Sequence, residues 1–265
     1  MIHDAGSEDD ITLAILSSPK PTTTLFYLAD GQGKPADVTY DTEGAQLRGR
    51  KVYRHHGAAN QAEYTRATDE KHDGLDDQNR TIIGARKPDS AFEFTIDFEN
   101  LAPVELGALV WALELEPGMC HRLGFAKPLG FGSVMLTVTA LQLMDPGKHY
   151  AGLDGGWEDA KSKKGAWITK FKDMLESRHG PAFADLDNVR DLQTLLSKPR
   201  SKLPIHYPRT ADKPDPEGKN FEWFVENKRG EPGRKDGMKS TLPLATEEED
   251  KGGFPLHPST PKPQR

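Results

Sequence analysis

Cysteine is almost absent from this 265-residue chain, Cys120 being the only one. A lone thiol can close no internal disulfide, and it cannot supply the multi-cysteine ligand set of a structural zinc knuckle. Long apolar runs are missing as well. No stretch approaches the roughly 20 apolar residues that a bilayer-spanning helix needs. The opening MIHDAGSEDD is acidic, unlike a secretion signal. The expectation is a soluble cytoplasmic protein with no membrane partner. Apolar residues are scarce overall, at 35%, while 25 glycines and 20 prolines are many for the length. That balance fits one packed core with long irregular segments laid over it or left disordered. A net charge of −6 argues against an indiscriminate nucleic-acid binder, but the distribution is uneven. Acidic residues are missing from LRGRKVYRHH (47–56), with Arg48, Arg50, Lys51 and Arg54, and from SKPRSKLPIHYPR (197–209). Either could form a local basic surface.

Strand signals fall at Thr22–Leu28, after the proline-bounded break SSPKP, at Gln46–Arg54 and at Thr81–Ala85. The clearest is AFEFTIDF (91–98), where Phe92, Phe94, Ile96 and Phe98 share one face. LAPVELGALVWALELEPG then predicts a helix. Pro103 suits its first turn, and Leu106, Leu109, Val110 and Leu113 form one apolar stripe. A glycine-rich loop follows, and SVMLTVTALQL reads as a final strand. Strand, helix, loop and strand in that order make the second half of a ferredoxin-like βαββαβ unit. Beyond it, AWITKFKDMLESRHG and ADLDNVRDLQTLLSK predict two helices, the first stopped at Gly180. LPIHYPR reads as extended and NFEWFVENKRG as a short aromatic strand, and residues 231–265 as a disordered tail.

The loop HRLGFAKPLGFGSV spreads Gly124, Gly130 and Gly132 along its length, with Arg122 and Lys127 interleaved. It contains no Gly-Lys-Ser/Thr, so it is no P-loop. It follows a helix and opens a strand, so it is no dinucleotide fingerprint either. Glycines let a main chain approach phosphates and offer its amides, while the cations add charge; such contacts position a nucleic acid without reading its sequence. The plain alternative is a tight crossing over the sheet, with the cations in solvent.

PVELGALVWALELEPGMCHRLGFAKPLGFGSV resembles the C-terminal glycine-rich loop of the CRISPR-associated RAMP superfamily. More narrowly, it looks like the backbone subunits of type III effectors and the fused single-chain type III-E effector. SSPKPTTTLFYL, LRGRKVYRHH, LPIHYPR and FEWFVENKRG are similar to flanking segments of the same group, in matching order, so the resemblance covers most of residues 11–229. It implies an α+β fold: a ferredoxin-like (RRM-like) RAMP domain over 1–145, best defined over 91–141. A helical and extended C-terminal extension over 146–230 would follow. It also implies a CRISPR RNA-binding subunit of an RNA-targeting antiviral complex, with target RNA and other type III effector subunits as partners. The loop positions carried over are His121, Arg122, Gly124, Lys127, Gly130 and Gly132, with Lys127 as the first choice for a phosphate contact. Arg48, Arg50, Lys51 and Arg54 would form an RNA-facing strip; an edge strand blunted by charge is the competing account.

The chain departs from that pattern in its first half, where no convincing helix precedes residue 90. The expectation is a split or truncated portion that completes its fold on a neighbouring subunit. Relatives that cleave RNA use an acidic loop residue of that half. Asp30, Asp37, Asp41, Asp73, Asp76 and Asp77 all qualify by position, and none stands out. The catalytic residue therefore stays unassigned, no cofactor is expected in this chain, and a divalent metal enters only if the assembly cleaves. His55 and His56 could serve as acid and base at neutral pH, but adjacent strand residues point to opposite faces. Cys120 beside His121 lacks metal-ligand spacing, so the pair reads as a packed thiol and a loop histidine. Trp111 reads as core or subunit contact, the aromatic cluster at 221–225 as a docked tail, and Tyr207 with Arg209 as stacking and phosphate contact or as simple tail docking.

Overall fold

The computed structural model describes residues 2–13, 24–32, 38–47, 55, 80–127, 130–153 and 155–197. Its fold is mixed α+β, with short antiparallel two-stranded sheets and several helices. The chain divides into two compact units, one of residues 1–94, 122–133 and 194–265, the other of residues 95–121 and 134–193.

The first unit is held by short pairings. Strand β1 (Ile11–Thr12) runs antiparallel to its partner at Thr81–Ile82, with Ile11 opposite Ile82. Single bridges join His3 to Ala91 and Ser7 to Arg86. The expected strand over Thr22–Leu28 is instead one helical turn, α1 (Thr24–Tyr27), followed by β2 (Leu28–Ala29). Leu28 and Ala29 pair with β3 (Gln46–Leu47), and β-prone residues hold a strand only where another strand meets them. The Thr81–Ile82 strand is β4. Most of the expected Gln46–Arg54 strand lies outside the described residues. At the centre, Leu13 and Ala126 are buried with Ile11, Ile82 and Phe131 packed around them. Phe92 and Phe94, read as one apolar face of a strand, are 59% and 60% exposed.

The second unit is organised by α2 (Pro103–Glu114). Proline opens it, and the Glu105 carboxylate accepts the Ala102 N–H at 2.7 Å, satisfying a donor at the helix start. Leu106 and Val110 are buried on Leu141 and Ala160, with Leu109, Phe98 and Val138 packed alongside. Two short strands that pair with each other follow, β5 (His121–Arg122) and β6 (Ser133–Val134). Among the described residues, the strand expected throughout 133–143 has ladder partners only at β6 and at β7 (Gln142–Met144). After β7 comes α3 (Pro146–Ala151), whose N-cap Asp145 accepts the Gly147 and Lys148 amides. Strand β8 (Trp157–Asp159) then pairs with β7.

Helix α4 (Lys164–His179) ends at Gly180, as the sequence predicts, and α5 (Asp187–Leu196) follows a 3-10 turn at Phe183–Asp185. At Gly107, α2 and α4 meet backbone to backbone, and a Cβ there would lie 2.0 Å from the Trp167 carbonyl oxygen. Trp111 is core, its ring 5.1 Å from Phe183 edge-on and 5.9 Å from Phe171. Its indole N–H donates to Glu116, which also receives Lys172 at 2.5 Å. A second half-buried pair, Lys164 with Glu114 at 2.7 Å, ties the end of α2 to the start of α4.

Candidate nucleic-acid interface

After Glu114 the chain turns through Leu115 (φ 60°) and Gly118 (φ 86°) into the loop. In the second unit, His121 donates from Nε2 to the Leu113 carbonyl at 2.8 Å, which fixes the proton on that nitrogen. Its ring is thereby tied to the end of the helix.

The loop itself belongs to the first unit, and it is closed from inside. Leu123 N–H donates to Gly132 O at 2.8 Å, and Gly130 N–H to Lys127 O at 3.1 Å. Gly132 has φ +79°, and a Cβ there would lie 1.7 Å from the Leu123 carbonyl oxygen, so glycine is required at that position. Ala126 and Phe131 turn inward onto Leu13. Ala126 holds φ 55°, a left-handed conformation that costs an alanine of the order of 1 kcal/mol or more and that the surrounding packing sustains.

Arg122 is the clamp. Its guanidinium donates to the Lys127 carbonyl, to Ser133 Oγ at 2.9 Å and, at 3.5 Å, to the Gly130 carbonyl. Burial lowers its pKa to about 10, which leaves it charged at neutral pH. Nε is buried with no acceptor among the described residues. Ser133 Oγ also lies 2.7 Å from Nδ1 of His55, which is only 3% exposed. Arg122 is half-buried in this arrangement. The guanidinium is committed to the carbonyls of its own loop.

The outer surface is what remains. Lys127 is half-buried, and its ammonium donates to the Gly124 carbonyl at 2.7 Å, leaving two N–H groups for another acceptor. The exposed amides of Gly124 and Phe125 donate to nothing among the described residues. Leu123 and Phe125 stand out at 64% and 59% exposed. The six positions carried over by resemblance thus separate in role. His121 and Arg122 face inward, Gly130 and Gly132 shape the turn, and Gly124 and Lys127 reach the surface.

Arg48, Arg50, Lys51, Arg54 and His56 lie outside the described residues, as do Asp37, Asp73, Asp76, Asp77, Tyr207, Arg209 and the aromatic cluster at 221–225. Asp30 Oδ1 accepts the Gln32 amide at 2.9 Å in a local turn. Among the described residues no group of three or more His, Cys, Asp or Glu is placed to hold a metal, and no helix is long and apolar enough to cross a membrane. Sequence reasoning missed Ser133 as the link between His55 and Arg122, because His55 and Ser133 are 78 residues apart. It also missed Phe125, whose outward direction no periodicity encodes. No protein-family model matches the chain, and no curated protein matches it either.

Proposed function

We propose that this chain is a CRISPR RNA-binding subunit or fragment of a type III RNA-targeting effector, built on a ferredoxin-like RAMP domain. Loop 121–132 grips the guide through its sugar-phosphate backbone. The sequence resemblance suggests the family. The single observation that supports the loop's role is its internal fastening. With Arg122 holding the Lys127 and Gly130 carbonyls, the loop presents the Gly124 and Phe125 amides, which have no acceptor among the described residues, beside the Lys127 ammonium. Amides and a cation on a preformed turn suit phosphate oxygens. The exposed Phe125 ring offers a nearby face on which a base can stack. Sequence specificity comes from pairing between guide and target RNA, as in guided systems generally. Flanking effector subunits complete the particle in the cytoplasm, with a divalent metal only where the assembly cleaves.

The test is titration of single-stranded RNA at several salt concentrations. Affinity falls steeply as salt rises, and Lys127→Glu lowers affinity and flattens the salt slope by about one. No binding at low salt, or a Lys127→Glu variant that binds as well as the parent, overturns the proposal.

A second reading, a cap with no RNA contact of its own, draws on the engagement of Arg122 with its own loop, and it predicts the first of those negative outcomes. A histidine-dependent nuclease is disfavoured because His55 is buried.

A further inference from the structure

We infer that the second unit takes up a β-strand from a different polypeptide along two open segments, residues 95–99 and 135–140. Both run without helix, turn or bend. Both sit on one core, since Phe98 and Val138 pack on the cluster of Leu106, Val110, Leu141 and Ala160. Burial in the second segment alternates as a pleated strand requires, with Leu136 and Val138 half-buried and Met135, Thr137 and Thr139 exposed. Yet among the described residues neither segment belongs to a ladder, and they share no hydrogen bond with each other. They are therefore not neighbours in a sheet.

Within these segments, one amide alone has a partner among the described residues. Val138 N–H donates to the Glu114 carboxylate at 2.9 Å. A side chain there does the work of a neighbouring strand's carbonyl, and the other main-chain groups have no such substitute. A row of unpaired N–H and C=O groups, spanning about 20 Å for six residues, is complementary to another extended main chain.

Charge narrows the occupant. Asp97 and Glu99 are exposed, and neither is ion-paired among the described residues. Their neighbours Ile96 and Phe98 alternate with them, Ile96 being 41% exposed beside the packed Phe98. The incoming strand therefore alternates apolar residues, toward Ile96 and the core, with lysine or arginine, toward Asp97 and Glu99. Antiparallel pairing of this segment with the same segment of a second copy sets acid against acid, which is destabilising.

Amide exchange by mass spectrometry on the full chain tests this, with two synthetic octapeptides as probes, one alternating lysine with valine and the other glutamate with valine. The lysine peptide slows exchange at 95–99 and 135–140 at least tenfold, and the glutamate peptide does not. The double variant Asp97→Lys with Glu99→Lys reverses that preference, and if it does not fold the parent's response to the two peptides decides. Three results overturn the inference. The amides are already protected in the free monomer, so the chain's own residues fill the gap; protection grows only with protein concentration, so a second copy does; or neither peptide protects. RNA does not enter this readout, so the outcome stands apart from that of the RNA titration.

Discussion

The two units hold themselves together by different means. In the second, α2 and α4 satisfy their own backbone hydrogen bonds and need only an apolar face, which Leu106, Val110 and Trp111 supply. In the first, two-residue ladders and a small cluster on Leu13 and Ala126 are reinforced by a half-buried arginine that fastens the carbonyls of the loop. The difference teaches where each unit is vulnerable. Lost volume breaks one, and a lost backbone conformation breaks the other.

The largest expected effect is from Trp111→Ala. Emptying that site costs about 3–5 kcal/mol, read as a lower urea midpoint for the second unit. The Leu13 amide, bonded to Arg80 O at 2.9 Å, should keep its exchange protection. Equal loss at Leu13 would mean the contrast is drawn in the wrong place. Gly132→Ala is the converse. Its positive φ and the clash with Leu123 O cost roughly 1–3 kcal/mol or more, freeing the Leu13 amide while Trp111 fluorescence holds.

Acid should separate the units next. Burial alone would raise the pKa values of Glu114 and Glu116. For Glu114, Lys164 and the Val138 amide outweigh burial, and for Glu116, Lys172 and the Trp111 N–H do, so both end below the usual 4.5. Each carboxylate therefore contributes stability that is complete above pH 4.5 and fades as pH falls through its lower folded value. Glu116→Gln should remove about 1 kcal/mol at pH 7 and much less at pH 3, measured by denaturant titration at both. A difference that does not depend on pH would assign Glu116 a packing role only. The smallest effect is from Lys127→Glu, within about 0.5 kcal/mol of the parent, because its ammonium holds one exposed carbonyl. A larger loss would make Lys127 a structural residue of the loop.

Much of the second unit was legible because helices advertise themselves through local rules. Pro103 marked the start of α2, the Leu106–Val110 spacing marked its buried stripe, and Gly180 marked the end of α4. The alternation at 91–98 was equally clear, but it reports which residues could share a face and not whether a partner strand exists. Of the four apolar residues on that face, Phe98 packs on the core while Phe92, Phe94 and Ile96 are exposed. The helical turn at Thr24–Tyr27 went unread for a related reason, since its β-prone residues do not say where a partner strand lies, and the described ladder joins Leu28 and Ala29 to β3. In the loop, the sequence presents the glycines as main chain that can approach phosphates or cross the sheet tightly, and the cations as charge for phosphate or solvent. Gly132 is a steric necessity and Arg122 points inward, because carbonyls five and eight residues ahead of it converge there. That convergence is three-dimensional, and residue spacing does not carry it.

The internal fastening by Arg122 has one more consequence. A fixed cation that stays protonated far above neutrality gives the hairpin a shape indifferent to the acidity of its surroundings. A lysine in its place, with a single point of attachment, could not span the carbonyls and the hydroxyl together. Whatever settles on the outer rim meets a mould already set.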